Sequence, residues 1–182
     1  GLVAEASALG SAGRILVRAP SVLLDDGRIL STAFGSGQGG RVEIQAGNLV
    51  MRNGAQIDAR SAEGSSGDAG SIELVVSGEL ALSGRSPVDG KFSGLYAQTR
   101  GGGRGGNVTL SATRISIIDG GRIEATSTGS GTAGSIDITA SDALRLFGGT
   151  ISSEALNADG GNIDIRAGNR VHLRASEIST SV

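Results

Sequence analysis

Carboxylates recur at one position of a repeated phrase, and they are the first candidates for chemistry. Glu43, Glu73, Asp137 and Asp164 each lie three residues after a glycine. Paired carboxylates serve as acid and base or nucleophile in glycoside hydrolysis, and their oxygens bind hard cations. Stacked like charges are mildly destabilising, and salt screens them at a solvated surface. We favour such a solvated face, with weak cation binding or a glycan-hydrolysing pair as alternatives.

Other residue types point away from catalysis. The chain has no Cys and one histidine, His172, which we expect to point outward because it lies between the apolar Val171 and Leu173. The column beside the acidic one begins with Arg18 and ends with Arg166 but holds no charge between them, so it offers no lyase-like Asp, Lys and Arg cluster. We expect no enzyme activity, no bound metal and no cofactor. The net charge of −2, without a basic run, also argues against nucleic acid as a partner.

One insertion interrupts the repeat, at residues 85–94 of the third unit. It contains Phe92, one of only 3 phenylalanines in the chain, beside two charged residues. Loops on a rigid scaffold often carry binding, although a neutral insertion is the simpler interpretation. We name Arg85, Asp89, Lys91 and Phe92 as the possible contact loop for a ligand or partner.

The elements that would position these residues follow a repeat marked by glycine. The phrase Gly-x-aliphatic-x-aliphatic occurs six times, at steps of 27, 30, 36, 28 and 27 residues. The six marker glycines are Gly13, Gly40, Gly70, Gly106, Gly134 and Gly161. The longest step contains the insertion. A period of this length is typical of a solenoid.

Each unit contains three short segments in which apolar residues alternate with other residues, as in half-buried strands. No useful stretch has helical periodicity. A coil in which each strand pairs with its counterpart one turn later accounts for both the triplet and the even steps. We therefore predict an all-β fold, a single-stranded right-handed parallel β-helix (solenoid), with about six coils of 27–30 residues and three short strands per coil; the hand follows the crossover rule.

The composition fits a thin aliphatic core. The chain has 32 Gly but only 3 Phe, 1 Tyr and no Trp. The alternation predicts five inward columns of large aliphatic residues, represented in the second coil by Val42, Ile44, Leu49, Met51 and Ile57. Small residues such as Ala59 and Ala125 follow in the third strand. Turns rich in Gly, Asn and Asp between the second and third strands are expected to adopt positive φ.

The units are in phase from one end of the chain to the other. The segments 2–6 and 178–182 both match the third strand of a coil, without a polar cap. Terminal coils of a solenoid need capping. We expect residues 1–182 to be a single β-helix segment of a longer solenoid, whose partners are further coils of the same protein or copies stacked end to end.

The repeated phrase resembles a known class of repeat. Gly-Gly-Asn-Ile-Asp-Ile (160–165), Gly-Gly-Asn-Val-Thr-Leu (105–110) and Gly-Gly-Arg-Val-Glu-Ile (39–44), each followed by a glycine turn and a Gly/Ser-rich return, are similar to the passenger repeats of filamentous-haemagglutinin-like exoproteins, which leave bacteria by two-partner secretion. The resemblance implies an extracellular stalk at the bacterial cell surface. It also implies adhesion, aggregation or biofilm contact, an outer-membrane transporter as partner, and surface glycans as ligands. The alternatives are a carbohydrate-active β-helix enzyme, a polysaccharide lyase or hydrolase, and a self-assembling extracellular filament.

Overall fold

The protein is a parallel β-solenoid, seen in a computed structural model that describes residues 2–6 and 10–181, with side chains from residue 10 onward. All strands of the described residues pair in parallel within two sheets, apart from one short antiparallel contact in the insertion. These residues contain no helix, and so none with the length and apolar character that a membrane span requires. The all-β parallel solenoid expected from the sequence is confirmed.

The strands succeed one another in chain order as the coils wind. They are β1 (Leu2–Ala6), β2 (Arg14–Asp25), β3 (Arg28–Ala33), β4 (Arg41–Arg52), β5 (Gln56–Ser61), β6 (Ser71–Val76), β7 (Glu79–Ser83), β8 (Gly94–Tyr96), β9 (Val108–Ile118), β10 (Arg122–Glu124), β11 (Ile136–Phe147), β12 (Thr150–Glu154), β13 (Ile163–Ala167), β14 (Arg170–Arg174) and β15 (Glu177–Ser181). One sheet, the third-strand sheet, has the order β1-β3-β5-β8-β10-β12-β15. The other sheet has the order β13-β11-β9-β6-β4-β2, with β7 and β14 paired beside that path.

The structure refines the division of a coil into three strands. In four coils the first and second predicted segments form one bent strand of 11 or 12 residues, namely β2, β4, β9 and β11. The register shifts between Ala140 and Ala143, where β11 pairs with β9. The chain stays extended through this bend, so the hydrogen-bond ladder largely continues across it. In the third and sixth coils the two segments remain separate strands.

The register places like residues over like along the whole solenoid. The first inward column runs Ile15, Val42, Ile72, Val108, Ile136 and Ile163, each paired with the next. The third-strand column runs Ile29, Ile57, Leu95, Ile123, Ile151 and Ile178. In the central coils these side chains are fully buried. All five predicted aliphatic columns are confirmed, and burial of about 1.5–3 kcal/mol per large side chain stabilises each coil.

Each corner after the second-strand segment contains a residue with positive φ: Asp26, Asn53, Gly84, Asp119, Gly148 and Ala175. At two of these corners the next residue, Gly54 or Gly120, also has a positive φ. Asn, Asp and Gly tolerate this left-handed region, as the turn composition predicts, whereas alanine does so at a cost. Gly84, the corner residue of the third coil, directly precedes the insertion.

The glycines that mark the repeat form a column in which backbone packs on backbone. A Cβ atom on Gly40, Gly70, Gly106, Gly134 or Gly161 would overlap the carbonyl oxygen of the marker glycine one coil earlier. The amide of Gly134 also donates to the Ala125 carbonyl at 3.1 Å, and the amide of Gly106 to the Ala97 carbonyl at 3.1 Å. This crossing of the chain past the third strand explains why both positions hold small residues.

Candidate functional site

The acidic column lies outward on the first strand, as expected, and arginines neutralise part of it. Glu43 pairs with Glu73 one coil later in the strand register. Glu43 accepts a hydrogen bond from Nε of Arg14 at 2.8 Å, and Nε of Arg41 lies 2.6 Å from the same carboxylate oxygen. Arg41 also forms an ion pair with Glu73. Arg14 and Arg41 thus lie beside Glu43 and Glu73, where they offset the repulsion between these two stacked carboxylates.

Glu43 is the best-partnered member of this column. Its side chain is 9% exposed, and the hydrogen bond from Arg14 lowers its pKa below the ordinary value of 4.5, aided by the charge of Arg41 and opposed by burial. Further along, Asp164 pairs with Arg166 at 2.6 Å. A carboxylate held ionised by two guanidinium groups is a structural anion rather than a proton donor. The sequence pattern drew attention to the column of Arg18 and Arg166. It gave no indication that Arg14 and Arg41, which directly follow marker glycines, would pair with Glu43.

His172 lies at the surface, in strand β14. The imidazole is exposed, as predicted, and packs edge-on against Phe147 with ring centres 4.7 Å apart. Within residues 10–181, no three His, Asp or Glu side chains are grouped so that they could hold a metal ion.

The insertion is a closed loop between β7 and β8. The Ser86 amide donates to the Lys91 carbonyl at 2.7 Å, and an antiparallel bridge joins Arg85 to Phe92. Asp89 pairs with Nζ of Lys91 at 2.7 Å and with Arg28 of β3 at 3.0 Å. The side-chain and backbone hydrogen bonds from Lys91 hold the pKa of Asp89 well below its usual range. The loop is thus tied both to itself and to the third-strand sheet.

Aromatic packing anchors the end of the same loop. The guanidinium carbon of Arg122 lies 4.2 Å from the centre of the Phe92 ring, and a Cβ atom on Gly120 would overlap that ring. The Tyr96 hydroxyl donates to the Phe92 carbonyl at 3.1 Å. Asp89, Lys91 and Phe92 therefore all reach the outer face of the third-strand sheet. Arg85 is exposed at the base of the loop. It does not line the two cavities, described next, that lie on that face.

Two adjoining cavities of about 370 and about 300 Å³ lie on that face beside the loop, and we call them together the basic cleft. They share Gln56, Arg60, Lys91 and Arg100 as lining residues. The cleft is lined by five cationic side chains, those of Arg28, Arg60, Lys91, Arg100 and Arg122. It also contains three of the four aromatic residues of the chain, Phe34, Phe92 and Tyr96.

Carboxylates balance most, but not all, of these cations. Besides the Asp89 pairs, Arg122 lies 3.2 Å from Glu124, which also accepts a hydrogen bond from Gln98 at 2.7 Å. Glu63 is the other carboxylate in the lining. Arg100 is exposed, and no carboxylate of residues 10–181 forms an ion pair with it. A positive group therefore faces solvent at the junction of the two cavities.

A buried carboxylate lies beneath the cleft. Asp58 of β5 is fully buried, its ion pair is with Arg60, and neither of its oxygens accepts a hydrogen bond of normal geometry. Burial lowers the pKa of Arg60, and the neighbouring charges of Arg100 and Arg28 lower it further. Burial, aided by the charge of Glu124, raises the pKa of Tyr96 to about 12. Arg60 and Tyr96 are thus partly buried groups with charged neighbours.

Two larger depressions, of about 790 and about 770 Å³, follow bends of the solenoid. The first is lined mainly by small residues such as Ala46 and Ser111, the second by the marker glycines and their neighbours. Neither is lined by an aromatic ring, and the second holds three arginines, Arg14, Arg41 and Arg104, of which the first two are paired with Glu43. The cleft is therefore the strongest candidate site, although it is smaller.

Sequence reasoning identified the insertion but not the surface against which it packs. Arg28, Gln56 and Arg122 all precede the inward isoleucine of a third strand, so their side chains share one outward column. That position was visible in the alternation, but the two arginines are separated by Gln56 and Gly94 in the coils between them, so the charge signal there was weak. The contributions of Phe34 and Arg100 came from return loops, for which the alternation predicts no direction.

Comparisons of the chain with protein-family models, with curated proteins and with solved structures find no match.

Proposed function

We propose that this chain is a structural and adhesive segment of a bacterial secreted surface protein, of the filamentous-haemagglutinin-like kind, that acts in adhesion, aggregation or biofilm contact without catalysis. Its place would be extracellular, at the cell surface. The proposal includes an outer-membrane transporter as secretion partner and surface glycans as ligands.

The continuous register through six coils carries this proposal. Every strand of one coil pairs with its counterpart in the next, so the aliphatic columns and the marker glycines run along the axis without interruption. Such a quasi-one-dimensional array is a rigid spacer that can be lengthened coil by coil. The insertion projects from its side, which is where a stalk would present a contact surface.

Removal of one coil in frame tests the proposal. Deleting residues 134–160 removes one 27-residue step and joins Ala133 to Gly161, which restores every column. We expect this variant to keep a strand-type circular dichroism spectrum, a cooperative unfolding transition and display on bacteria. A deletion of half that length is the control, because it should misalign the columns and abolish folding. Loss of all adhesion on removal of the whole coil would count against a stalk.

Apolar residues of the sixth coil are partly exposed, which supports the proposal that further coils pack on that side. Val171 is 45% exposed and Leu173 is 49% exposed, although both belong to inward columns that are fully buried in the central coils. We propose that further coils of the same protein cover them, since only a matching coil continues all five columns. A chain extended by one more coil of this repeat should remain monomeric and become more stable. End-to-end filaments in electron micrographs of the 182-residue chain would favour a second copy instead.

A further inference from the structure

We propose that the basic cleft binds an acidic saccharide, with Arg100 pairing with its carboxylate or sulfate and Phe34 packing against its ring. The inference deepens the proposed surface role and rests on it, because acidic glycans are ligands that a surface protein meets. Nothing in it requires a chemical step.

The distribution of aromatic residues carries the first part of the argument. The core contains almost no aromatic residues, yet three of the four rings in the chain lie around this one cleft. Phe34 is 44% exposed there, so its ring is not used to fill the core. A few polar groups converging beside aromatic surface is the usual design of a small-ligand site, and the apolar face of a sugar ring packs well on such a surface.

The charge distribution indicates which kind of saccharide the cleft would bind. Five cations face the cleft against two lining carboxylates, in a chain whose net charge is −2. Asp58 and Asp89 offset part of that excess from beneath and beside the cleft. Among the side chains of residues 10–181, the exposed Arg100 is the cleft cation left without an ion pair. Guanidinium groups bind carboxylate and sulfate through two parallel hydrogen bonds, so an anionic substituent is the natural partner.

Several side chains around the cleft already have partners within the protein. Arg122 is held by Phe92 and Glu124, Lys91 by Asp89, and Tyr96 by the Phe92 carbonyl. Sites in which the supporting side chains are already ordered lose less entropy on binding. The cavity volumes, about 370 and about 300 Å³, lie at the lower end of the range for small-molecule sites, which suits a short oligosaccharide.

Titration calorimetry on the 182-residue chain tests the proposal. The probes are an oligogalacturonate, a sulfated oligosaccharide, a neutral cello-oligosaccharide and inorganic sulfate. We expect at least one acidic oligosaccharide to bind, the neutral one to bind at least about tenfold more weakly, and added salt to weaken binding. The carboxylated and sulfated probes distinguish the two possible sources of the anion.

Two variants and one matched control locate the site. Arg100→Ala and Phe34→Ala should each weaken binding about tenfold, whereas Arg145→Ala, an exposed arginine on the other sheet, should leave it unchanged. If Phe34→Ala misfolds, Arg100→Ala alone decides. The proposal would be overturned if neither acidic probe bound, or if the neutral probe or inorganic sulfate bound equally well. Unchanged binding by Arg100→Ala would also overturn it.

The coil-deletion variant separates this inference from the proposed surface role. Deletion of residues 134–160 leaves every lining residue of the cleft in place. If that variant binds the saccharide but cells no longer adhere, the stalk proposal fails and the site stands. If adhesion persists while no acidic saccharide binds, the site fails and the stalk proposal stands.

Discussion

Gly134 lies directly over Gly106, so closely that a Cβ atom on Gly134 would overlap the carbonyl oxygen of Gly106. The same relationship links successive marker glycines along the solenoid. The glycine that defines the repeat is therefore a packing requirement between neighbouring coils, at the point where the chain passes from a return loop into the first strand.

Replacing Gly134 by alanine should destabilise the protein. The added methyl group has no space, and overpacking of this kind typically costs about 1–3 kcal/mol. Urea unfolding followed by circular dichroism measures the change. Gly102→Ala is the control, because the nearest atom to its Cβ would be Oγ of Ser130 at 3.5 Å. Equal effects of the two substitutions would contradict the close-packed glycine column.

Replacing Ala175 by glycine should stabilise the protein. Ala175 occupies the left-handed corner with φ of 48°, where an L-residue with a Cβ atom is strained by about 1–2 kcal/mol. Glycine removes that strain but adds unfolded-state entropy, so we expect a net gain of about 0.5–1 kcal/mol. The midpoint of urea unfolding is the measurement. Ala81→Gly, in strand β7, should instead destabilise.

Acidification should weaken the ion pairs of Glu43 with Arg14 and Arg41. Its folded-state pKa lies below the ordinary 4.5, because Arg14 donates to the carboxylate. The ionised form is therefore favoured by folding, so this contribution is present above pH 4.5 and is lost as the pH falls through the lower folded-state pKa.

The Glu43→Gln variant isolates that contribution. At neutral pH it should be less stable than the wild type, and its stability should change less on acidification. Unfolding midpoints in urea between about pH 7 and about pH 3 provide the measurement. Glu79→Gln is the control, since Glu79 is exposed and forms no ion pair within residues 10–181. If the unfolding midpoints of the wild type and of Glu43→Gln changed in parallel with pH, these ion pairs would not contribute to stability.

The single tyrosine should titrate abnormally. Tyr96 is the 1 Tyr of the chain, so the absorbance change of tyrosinate reports on the basic cleft alone. We expect a midpoint at about pH 12 in the folded protein, because burial disfavours the phenolate. In concentrated urea the midpoint should return to about 10.

The sign of the linked stability follows from the raised folded-state pKa. The contribution of Tyr96 is intact below about pH 10 and is lost as the pH rises towards about 12, because only the unfolded chain ionises in that interval. Circular dichroism recorded during the titration checks that the fold persists. A midpoint near 10 while the fold is intact would show that Tyr96 is accessible to solvent.

Much of the fold could be predicted from local pattern. Alternation placed Val42 and Ile44 inward, and the nearly equal spacing of Gly106, Gly134 and Gly161 aligned the coils, because a parallel solenoid repeats one local geometry at every turn. The merging of two strands into β2 or β11 was not predicted, since a bend in an extended chain needs no special residue type. Ala175 at a left-handed corner was likewise invisible, because coil geometry overrides its propensity there.

The candidate site, like the fold, was predictable from the sequence only in part. The sequence by itself determined the aliphatic columns, the corners, the outward direction of Glu43 and His172, and the location of the insertion, since each depends on neighbours a few residues away. Only the tertiary structure decided that Phe34, Arg60 and Arg100 meet beside that insertion, and that Arg14 neutralises Glu43 one coil later. Contacts between coils depend on how loops fold back over a neighbouring turn, and that information lies in packing rather than in any local pattern.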